Sequence, residues 1–359
     1  MGRSRRTLSS MRVLVAMSGG VDSSVAAALL LDAGHEVVGA TLKLWGGVSD
    51  SGCCSVADVE DARRVAEQLG IVHHVFDDTE VFEEKVIGPY VADHAVGRTP
   101  NPCIECNRHV KFGLLHDRAQ RLGFDAIATG HHARVRHDGH WRLKRGVDLA
   151  KDQSYVLSML TQRELARLLL PVGELTKKDV RERASALGMR TADKPDSQDV
   201  CFVASTQGRQ GFLADRLPLH PGTLVEAGTG RELGEVEAVE MVTVGQRRGL
   251  GVDDVGQRRY ALRVDVPGRR VVVSNHDALR IPKVEVGTPT WVARPVDPGT
   301  PVLVQMSAHG AVFPGVWDGS GVTFEDPVLR IAGGQTVAMY ERDSPDEVIG
   351  SAVAVASID

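Results

Sequence analysis

Short apolar, β-branched runs alternate with longer amphipathic stretches over the first third of the chain. Continuous apolar runs of this length are typical of buried strands, and apolar positions spaced three to four residues apart are typical of helices. The pattern predicts strands at 12–17, 35–44, 71–76 and 124–129, and helices at 23–31, 57–69, about 80–96 and about 107–122. Strands that alternate with helices predict a doubly wound parallel sheet, with sites at the carboxyl ends of its strands.

The pattern of apolar and polar residues changes in the rest of the chain. Helices predicted at 163–169 and 178–187 complete the first region, and short strands with Gly/Pro turns follow from about residue 210. Residues 281–359 are almost entirely β-like, which predicts a small barrel or sandwich. The predicted regions are a disordered extension at 1–10 without a secretory apolar core, then 11–208, a mostly-β central region at 209–280, and 281–359.

Composition excludes some classes of protein. The 359-residue chain is 42% hydrophobic and has no run of 18 uncharged apolar residues, which argues against a membrane span. Its net charge of −5, taken as a sum, argues against a nucleic-acid partner. The cysteines are odd in number and too few for a disulfide scaffold, so they predict thiol chemistry or metal ligands in a reducing cytoplasm. They are Cys53, Cys54, Cys103, Cys106 and Cys201.

A glycine-containing loop, Ala16-Met-Ser-Gly-Gly-Val-Asp-Ser-Ser24, follows the first predicted strand and opens a helix. Free backbone N–H groups and the positive end of the helix dipole make such a position an anion site. The loop is neither a Walker A motif nor a G-x-G-x-x-G dinucleotide fingerprint. The alternative is a tight turn in which Asp22 or Ser23 only caps the helix.

Two loops carry the remaining thiol candidates. Cys103 and Cys106 lie in TPNPCIECN, before a predicted helix whose N-terminus would stabilise a thiolate. A structural zinc half-site or an incidental pair are the alternatives, although zinc requires further ligands at suitable spacing. Cys201 lies in KPDSQDVCF. Taken alone, it is as consistent with a small buried apolar residue as with a reactive thiol.

The first loop resembles the SGGxDS loop of PP-loop ATP pyrophosphatases, and the three loops together resemble, in order and spacing, the tRNA-specific 2-thiouridylases. Further matching stretches are GCCSVADVEDARRVAEQLGI, VKFGLL, ATGHHARV, KDQSYVLSML and TVGQRRGLGV. The resemblance spans Met11 to about Asn275 and weakens after that. It implies an α/β fold, in which a doubly wound parallel-sheet PP-loop ATPase domain is followed by a small central domain and a C-terminal β-barrel.

The resemblance implies roles for individual residues. Cys201 would carry a persulfide and Cys106 would be its partner nucleophile, while Asp22 would suit the Mg²⁺ bound with ATP. The implied ATP-binding residues are Ala16, Met17, Ser18, Gly19, Gly20, Val21, Asp22, Ser23, Leu42 on the adenine side, and Gly130. The implied tRNA contacts are Asn101, Pro102, Cys103, Lys151, Asp152 and Gln153.

The implied reaction begins with adenylation of the C2 carbonyl oxygen of the wobble uridine, position 34, because that oxygen is a poor leaving group until AMP is attached. A sulfur carrier or cysteine desulfurase would load the persulfide on Cys201. The persulfide would attack C2 directly, or Cys106 would release its terminal sulfur and leave a disulfide with Cys201. The expected enzyme is a monomeric, cytoplasmic tRNA-uridine 2-sulfurtransferase that acts on the anticodon arm.

Three departures from the family pattern keep alternatives open. Cys103 stands where many members have Asp, Gly234-Glu-Val-Glu-Ala238 lacks the usual His, and Ser307-Ala308 replaces an Arg-Tyr pair of the barrel. A third thiol favours a thiolase in which Cys103, Cys106 and Cys201 hold an iron–sulfur cluster. Another AMP-forming PP-loop ligase and a non-catalytic RNA-binding protein are the remaining alternatives.

The distribution of charge modifies the inference drawn from its sum. Residues 284–359 carry three basic side chains against ten acidic ones, whereas residues 107–151 carry ten Lys/Arg against four Asp. We therefore expect RNA to dock against the first domain and the segment that follows it, with the acidic barrel contributing less. The GQRRG stretch at 245–249 is either a further tRNA contact, as the resemblance implies, or a solvated basic loop.

Overall fold

A computed structural model describes residues 10–45, 55–196, 200–203 and 208–355. Residues 1–9 of the predicted extension, Cys53 and Cys54, and Ser197–Asp199 of the Cys201 loop lie outside these ranges. Within them, no helix is long and apolar enough to cross a membrane.

The first sheet is parallel and has five strands in the order β3-β2-β1-β4-β7. Among the described residues, the strands of the first region are β1 (Arg12–Ala16), β2 (Glu36–Lys43), β3 (His73–Asp77), β4 (Ala126–Ala128), β5 (Ala133–Asp138), β6 (His140–Arg145) and β7 (Leu168–Leu169). β1 lies at the centre, and Val13, Leu14 and Val15 are completely buried. A strand covered on both faces requires the continuous apolar run seen in the sequence.

Helices cover both faces of this sheet. They are α1 (Val21–Asp32), α2 (Val56–Leu69), α3 (Thr79–Phe82), α4 (Gly88–Ala95), α5 (Pro102–Glu105), α6 (Leu115–Arg121), α7 (Gln162–Leu165), α8 (Lys177–Ala186) and α9 (Gly208–Ala214). One apolar cluster joins Val13 and Val15 to α1, α2 and α8, and another joins Leu14 to Phe82, Ile104 and Tyr155. The predicted doubly wound arrangement is therefore confirmed.

Several predicted helices are interrupted or shortened. A π-helical turn at Glu83–Ile87 joins α3 to α4, and another at Cys106–Leu114 joins α5 to α6. The predicted helix at 163–169 is wrong beyond Leu165, since Leu168–Leu169 forms the edge strand β7 against β4. Apolar spacing does not distinguish a short helix from a strand, and here pairing with β4 decides between them. Short 3₁₀ turns lie at Tyr155–Leu157, Pro171–Glu174, Val239–Met241 and Asp277–Leu279.

The central region is a four-stranded sheet in the order β10-β11-β8-β9. Its strands are β8 (Gly222–Glu226), β9 (Glu232–Val236), β10 (Tyr260–Asp265) and β11 (Arg270–Ser274). They enclose a separate apolar cluster that includes Leu224, Val239 and Val271. This region has its own core, in agreement with the short strands and Gly/Pro turns that set it apart in the sequence.

The C-terminal strands close into a barrel. They are β12 (Arg280–Glu285), β13 (Thr290–Trp291), β14 (Pro301–Gln305), β15 (Val312–Trp317), β16 (Gly321–Leu329), β17 (Thr336–Glu341) and β18 (Glu347–Val353). The order β12-β16-β15-β14-β17-β18 is antiparallel, and a bridge between Val286 and Ala354 returns the last strand to the first. Closure distinguishes a barrel from the sandwich that the sequence left open.

A hairpin from the first region belongs to this C-terminal sheet. β5 pairs with β6, and β6 pairs with β18 through Lys144 opposite Glu347 and Leu143 opposite Val348. The proposed division at residue 208 stays a prediction, but the hairpin shows that residues 11–208 do not form one sheet. Arg145 lies at the contact between the hairpin and the barrel, which we call the seam. Its guanidinium donates hydrogen bonds to Asp152 and Gln305 and stacks 3.9 Å from the centre of the Tyr340 ring.

The basic surplus at 107–151 is largely neutralised by ion pairs. Arg134 and Lys144 contact Asp346, and Arg142 contacts Glu347, so the hairpin matches acids of the barrel. The other pairs are Arg108–Glu105, Arg118–Asp78, Arg136–Glu174, Arg145–Asp152 and Lys151–Asp196. The expectation that this surplus marks an RNA-docking face stays a prediction, although most of these cations are already paired within the protein.

The hairpin depends on one close backbone contact, which a single methyl group tests. A Cβ on Gly173 would lie 1.8 Å from the carbonyl oxygen of Ala133, at the start of β5. Gly173→Ala is therefore expected to lower the free energy of unfolding by about 2 kcal/mol or more, measured by urea unfolding. Gly287→Ala is the control, because its nearest neighbour lies at 3.8 Å, and equal stability of the two variants would contradict the prediction.

Candidate functional site

The loop between β1 and α1 is organised by its own backbone and hydroxyl groups. Ser23 Oγ accepts a hydrogen bond from the Ser18 N–H at 3.2 Å and donates one to the Gly20 carbonyl at 3.1 Å. Gly19 has φ of 71°, and a Cβ there would lie 2.2 Å from the Asp58 carbonyl oxygen. Gly20 is the N-cap of α1, and no side chain in the described part of the chain caps the helix. The capping alternative is thus not observed. The helix N-terminus presents its N–H groups at the carboxyl end of the central strand β1.

Gly130 forms the opposite wall of this loop, just after β4. A Cβ on Gly130 would lie 2.5 Å from the Ser23 nitrogen and 2.7 Å from the Asp22 carbonyl carbon. Met17, Val21 and Leu42 are buried, so their side chains belong to the core around the loop. The structure therefore brings Gly130 and the 16–23 loop together, and the adenine contact of Leu42 stays a prediction.

Asp22 is the charged centre of the site. Its carboxylate accepts hydrogen bonds from Lys177 Nζ at 2.7 and 2.8 Å, and it lies 3.0 Å from His132 Nε2. Burial opposes ionisation, but the hydrogen bonds of His132 and Lys177 outweigh it and hold the pKa of Asp22 below its usual range. Sequence reasoning missed Lys177, since the T-K-K-D capping pattern fixes only its position in the first turn of α8.

The segment before Cys201 is fastened to the same loop. Lys194 Nζ donates to the Gly19 carbonyl at 3.0 Å and to Asp58 and Asp61 on α2. Asp196 accepts hydrogen bonds or ion pairs from three cations, at distances of 2.7 to 3.0 Å; they are Lys151, Lys177 and Arg181. Burial opposes ionisation of Asp196, but Lys151 and Lys177 lower its pKa to about 2.

Both predicted catalytic cysteines adjoin one apolar cluster. Cys106 is 7% exposed at the start of a π-helical turn, and the partly exposed Cys201 packs against the cluster that contains Cys106. Phe202, next to Cys201, meets the rings of Phe82 and Tyr90 edge-on at 5.8 and 5.4 Å. The fold thus brings two cysteines 95 positions apart in the sequence onto the same core, while Cys103 is exposed.

The loop before α5 is supported from the barrel. Asn101 Oδ1 caps α5 by accepting from the Cys103 N–H at 3.1 Å, and Pro102 is the buried first residue of that helix. The Thr99 N–H donates to the Gly333 carbonyl at 2.9 Å. A cavity of about 400 Å³ lies beside Asn101 and Pro102, between α4 and the barrel. The predicted tRNA-contact role of this loop stays a prediction.

The other predicted tRNA contacts are engaged within the protein. Lys151 contacts Asp196, and Gln153 Oε1 accepts from the His132 N–H at 2.9 Å. Asp152 is buried and accepts from Arg145, the Gly146 N–H and Ser154. Gln153 thereby holds His132 beside Asp22, and Asp152 holds the seam with the barrel, so both act first on the protein's own structure.

Among the residues that the structure describes, no three His, Cys, Asp or Glu side chains are arranged to hold a metal ion. Cys103, Cys106 and Cys201 in this arrangement do not fit a cluster site. His131 lies beside Thr129, whose hydroxyl is 2.7 Å from its Nδ1, and burial lowers the pKa of His131 well below its ordinary value.

Two exposed arginines lie on the turn of the GQRRG stretch in the central region. The Gly245 N–H donates to the Ala261 carbonyl at 2.8 Å, and Leu250 is completely buried, so the turn is fixed at both ends. Arg247 and Arg248 project between these anchors and form no ion pair within the described part of the chain. This turn therefore offers positive charge that the hairpin does not.

Comparison with known families agrees with this geometry. The family model described as the tRNA methyl transferase HUP domain matches residues 11–205, and the model described as the tRNA methyl transferase PRC-barrel domain matches residues 210–275. Together they cover most of the chain, including all predicted site residues.

Curated relatives match over nearly the full length. The tRNA-specific 2-thiouridylase MnmA of Salinispora arenicola is 45% identical over 96% of this chain and 99% of its own length. The protein of the same name from Thermobifida fusca is 42% identical over 93% of both chains.

The solved structures have lower sequence identity to this chain and cover less of it. A 4-thiouridine synthetase–RNA complex with bound ATP covers 53% of this chain and 44% of its own, at 18% identity and a TM-score of 0.38. The U34-tRNA thiolase NcsA from Methanococcus maripaludis with its [4Fe-4S] cluster covers 55% and 64%, at 16% identity and a TM-score of 0.37. Overlaps of this size do not bear on the function of this chain.

The predicted resemblance and fold class are confirmed by the family models and by identities above 40% over nearly the whole length. The chain belongs to the family of tRNA-specific 2-thiouridylases.

Proposed function

We propose that this protein is a tRNA-uridine 2-sulfurtransferase that adenylates the C2 carbonyl oxygen of uridine 34 with ATP and then replaces that oxygen with sulfur, releasing AMP and pyrophosphate. The observation that carries the proposal is that residues 194–196, shortly before Cys201, are attached to the loop at residues 16–24. We call this loop, between β1 and α1, the phosphate-type loop. Lys194 contacts the Gly19 carbonyl, and Lys177 contacts both Asp22 and Asp196. An activation site and a sulfur carrier must lie together for such a reaction.

The N-terminus of α1 is the binding site for the ATP phosphates in this proposal. Gly19 packs against the Asp58 carbonyl and Gly130 against the Ser23 nitrogen, where a Cβ would collide, so both glycines fix the loop that presents its N–H groups to an anion. Mg²⁺ bound with ATP would neutralise phosphate charge, and Asp22 is the carboxylate suited to hold it. The uracil oxygen attacks the α-phosphate, the bond to the β-phosphate breaks, and AMP becomes the leaving group at C2.

The sulfur step uses the buried Cys106 and the partly exposed Cys201. A sulfur carrier or cysteine desulfurase loads Cys201 as a persulfide. In one route the terminal sulfur attacks C2, AMP leaves, and the Cys106 thiolate then attacks Cys201 Sγ. In the other, Cys106 first displaces the terminal sulfur as hydrogen sulfide, which attacks C2. Both routes form a Cys106–Cys201 disulfide and require a dithiol reductant for the next turnover.

We further propose that the protein acts as a cytoplasmic monomer and that its tRNA contacts include Arg247 and Arg248. The target uridine must leave the anticodon stack, at a cost of a few kcal/mol that binding elsewhere on the tRNA offsets. Exposed arginines that have no ion-pair partner among the described residues are available for phosphate contacts, whereas Arg134 and Arg142 of the β5–β6 hairpin are paired.

Cysteine variants separate the two half-reactions. Cys201→Ser is expected to reduce 2-thiouridine formation to background, because the persulfide carrier is lost, while tRNA-dependent ATP–pyrophosphate exchange persists. Mass spectrometry of tRNA nucleosides measures the first activity and labelled pyrophosphate the second. The exchange reaction is the control for folding. Full thiolation by Cys201→Ser would disprove the persulfide role, and exchange that depends on a small molecule instead of tRNA would favour another AMP-forming ligase.

A methyl group at the wall of the phosphate loop tests the nucleotide site. Gly130→Ala is expected to raise the Kd of ATP by at least about tenfold, or 1.4 kcal/mol, because its Cβ would press on the Ser23 nitrogen. Calorimetric titration measures this effect. Gly287→Ala, whose Cβ would meet only an ordinary contact at 3.8 Å on the barrel, is expected to bind ATP like the wild type. Unchanged affinity in a folded Gly130→Ala variant would place ATP elsewhere.

Salt dependence of tRNA binding tests which arginines contact phosphate. The double variant Arg247→Ala/Arg248→Ala is expected to weaken binding and to lower the slope of log K against log salt by about 2, one for each lost phosphate contact. The matched double variant Arg136→Ala/Lys144→Ala removes two cations that are paired with Glu174 and Asp346. Its slope is expected to match the wild type, and the reverse pattern would return the docking face to the hairpin.

A further inference from the structure

Cys103 and Cys106 occupy one turn of helix and differ in exposure. Cys103 is exposed and Cys106 is buried, as are Pro102 and Ile104 on either side of Cys103. The spacing is Cys-x-x-Cys, which is typical of proteins that exchange thiols and disulfides. The proposed sulfur step uses the thiols of Cys106 and Cys201 alone. The exposed member of the pair is therefore a nucleophile that the proposed reaction leaves unused.

The backbone brings the Cys103 and Cys106 side chains together. The Cys106 N–H donates to the carbonyls of both Pro102 and Cys103. The bond to Cys103 spans three residues, as in a 3₁₀-helix, where side chains three positions apart eclipse each other. Asn101 fixes the start of the turn by accepting from the Cys103 N–H at 3.1 Å. Helical neighbours at this spacing have Cβ atoms about 5–6 Å apart and a disulfide requires about 4 Å, so a small closure of the turn joins the sulfurs.

Burial limits how the disulfide of the proposed sulfur step is reduced. One of its sulfurs belongs to Cys106, which lies in the apolar cluster against which Cys201 packs. Exchange depends on the access of a thiolate to the sulfur that it attacks. A protein dithiol is too large to reach Cys106 Sγ, whereas Cys103 lies in the same turn. Attack on Cys106 Sγ also releases Cys201 as a thiolate, whereas attack on Cys201 Sγ would leave that residue in a mixed disulfide.

We propose that Cys103 is the resolving nucleophile of a dithiol relay that resets the enzyme. The Cys103 thiolate attacks Cys106 Sγ, the Cys106–Cys201 bond breaks, and Cys201 leaves as a thiolate that takes up a proton. A protein dithiol from solvent then attacks the exposed Cys103 Sγ of the new Cys103–Cys106 disulfide, and Cys106 leaves as a thiol. The second thiol of the reductant displaces Cys103 and closes the reductant's own disulfide, so its two electrons restore both cysteines. The inference rests on the proposed function and adds the route by which its disulfide is removed.

Disulfide mapping tests the relay without ATP or tRNA. The reduced full-length protein is equilibrated in a glutathione redox buffer, quenched with acid and digested with trypsin without reduction. Cys103 and Cys106 lie in the tryptic peptide 99–108, and Cys201 lies in the peptide 191–209. Wild type is expected to give mainly peptide 99–108 closed on itself, lighter by two hydrogens. Cys103→Ser is expected to give peptide 99–108 linked to peptide 191–209, because the disulfide stays on Cys106 and Cys201.

Turnover with a protein reductant tests the relay in the working enzyme. The measured quantity is the ratio of the steady-state rate of 2-thiouridine formation to the rate of the first turnover, with thioredoxin and its reductase as reductant. Cys103→Ser is expected to lower this ratio by about tenfold or more, because the reductant has poor access to Cys106. Loss of a tRNA contact at position 103 slows both rates alike and leaves the ratio unchanged. Dithiothreitol, a small dithiol, is expected to restore most of the ratio.

A neighbouring substitution controls for changes in the turn itself. Glu105 lies between the two cysteines and contacts Arg108 and His109. Glu105→Gln keeps both thiols, so it is expected to give the wild-type ratio and the wild-type disulfide. Thermal unfolding of each variant verifies the fold.

Two results would overturn the relay. One is a wild-type protein whose main disulfide after equilibration joins Cys106 to Cys201. The other is a Cys103→Ser variant whose ratio equals that of wild type with thioredoxin as reductant. A wild type that performs no first turnover is a different result, because the proposed function then fails and the relay fails with it.

Discussion

The partly buried carboxylate of Asp22, at the N-terminus of α1, is the charge on which the site depends. Removing a carboxylate from water is costly unless cations and hydrogen bonds compensate, and here Lys177 and His132 do so. Lys177 brings α8 and Asp196 with it, and His132 is held by Gln153. One desolvated charge thus gathers four segments that are far apart in the sequence.

Pairing of opposite charges also explains how the barrel contacts the β5–β6 hairpin. Its acids outnumber its bases strongly in the sequence, and Asp346 and Glu347 meet Arg134, Arg142 and Lys144 of the hairpin. Much of the apparent charge segregation along the chain is therefore an internal match between two segments. A net charge of −5 neither excludes an RNA partner nor locates its surface, because paired charges contribute little to the field outside.

Contiguous features were predictable, and features that depend on pairing were not. The central strand, the helices beside it and the loop at residues 16–24 follow from local apolar spacing and from the glycines of that loop. Strand β7 was predicted as helix, because Leu168–Leu169 is defined only by its hydrogen bonds to β4. The assignment of the β5–β6 hairpin to the barrel depends on β18, about 200 residues further along the chain. Short segments carry too little pattern to specify such partners.

The sequence by itself determined the family, the fold class and the chemistry-bearing loops, since a phosphate-type loop or a reactive cysteine loop is built from neighbouring residues whose order is its signature. Only the tertiary structure decided which charges meet. Lys177 and Asp22 are 155 positions apart, and Lys194 and Gly19 are 175 positions apart. Long-range ion pairs and hydrogen bonds of this kind leave no local pattern, because a lysine on a solvated helix and a lysine beside a buried carboxylate have the same local sequence pattern.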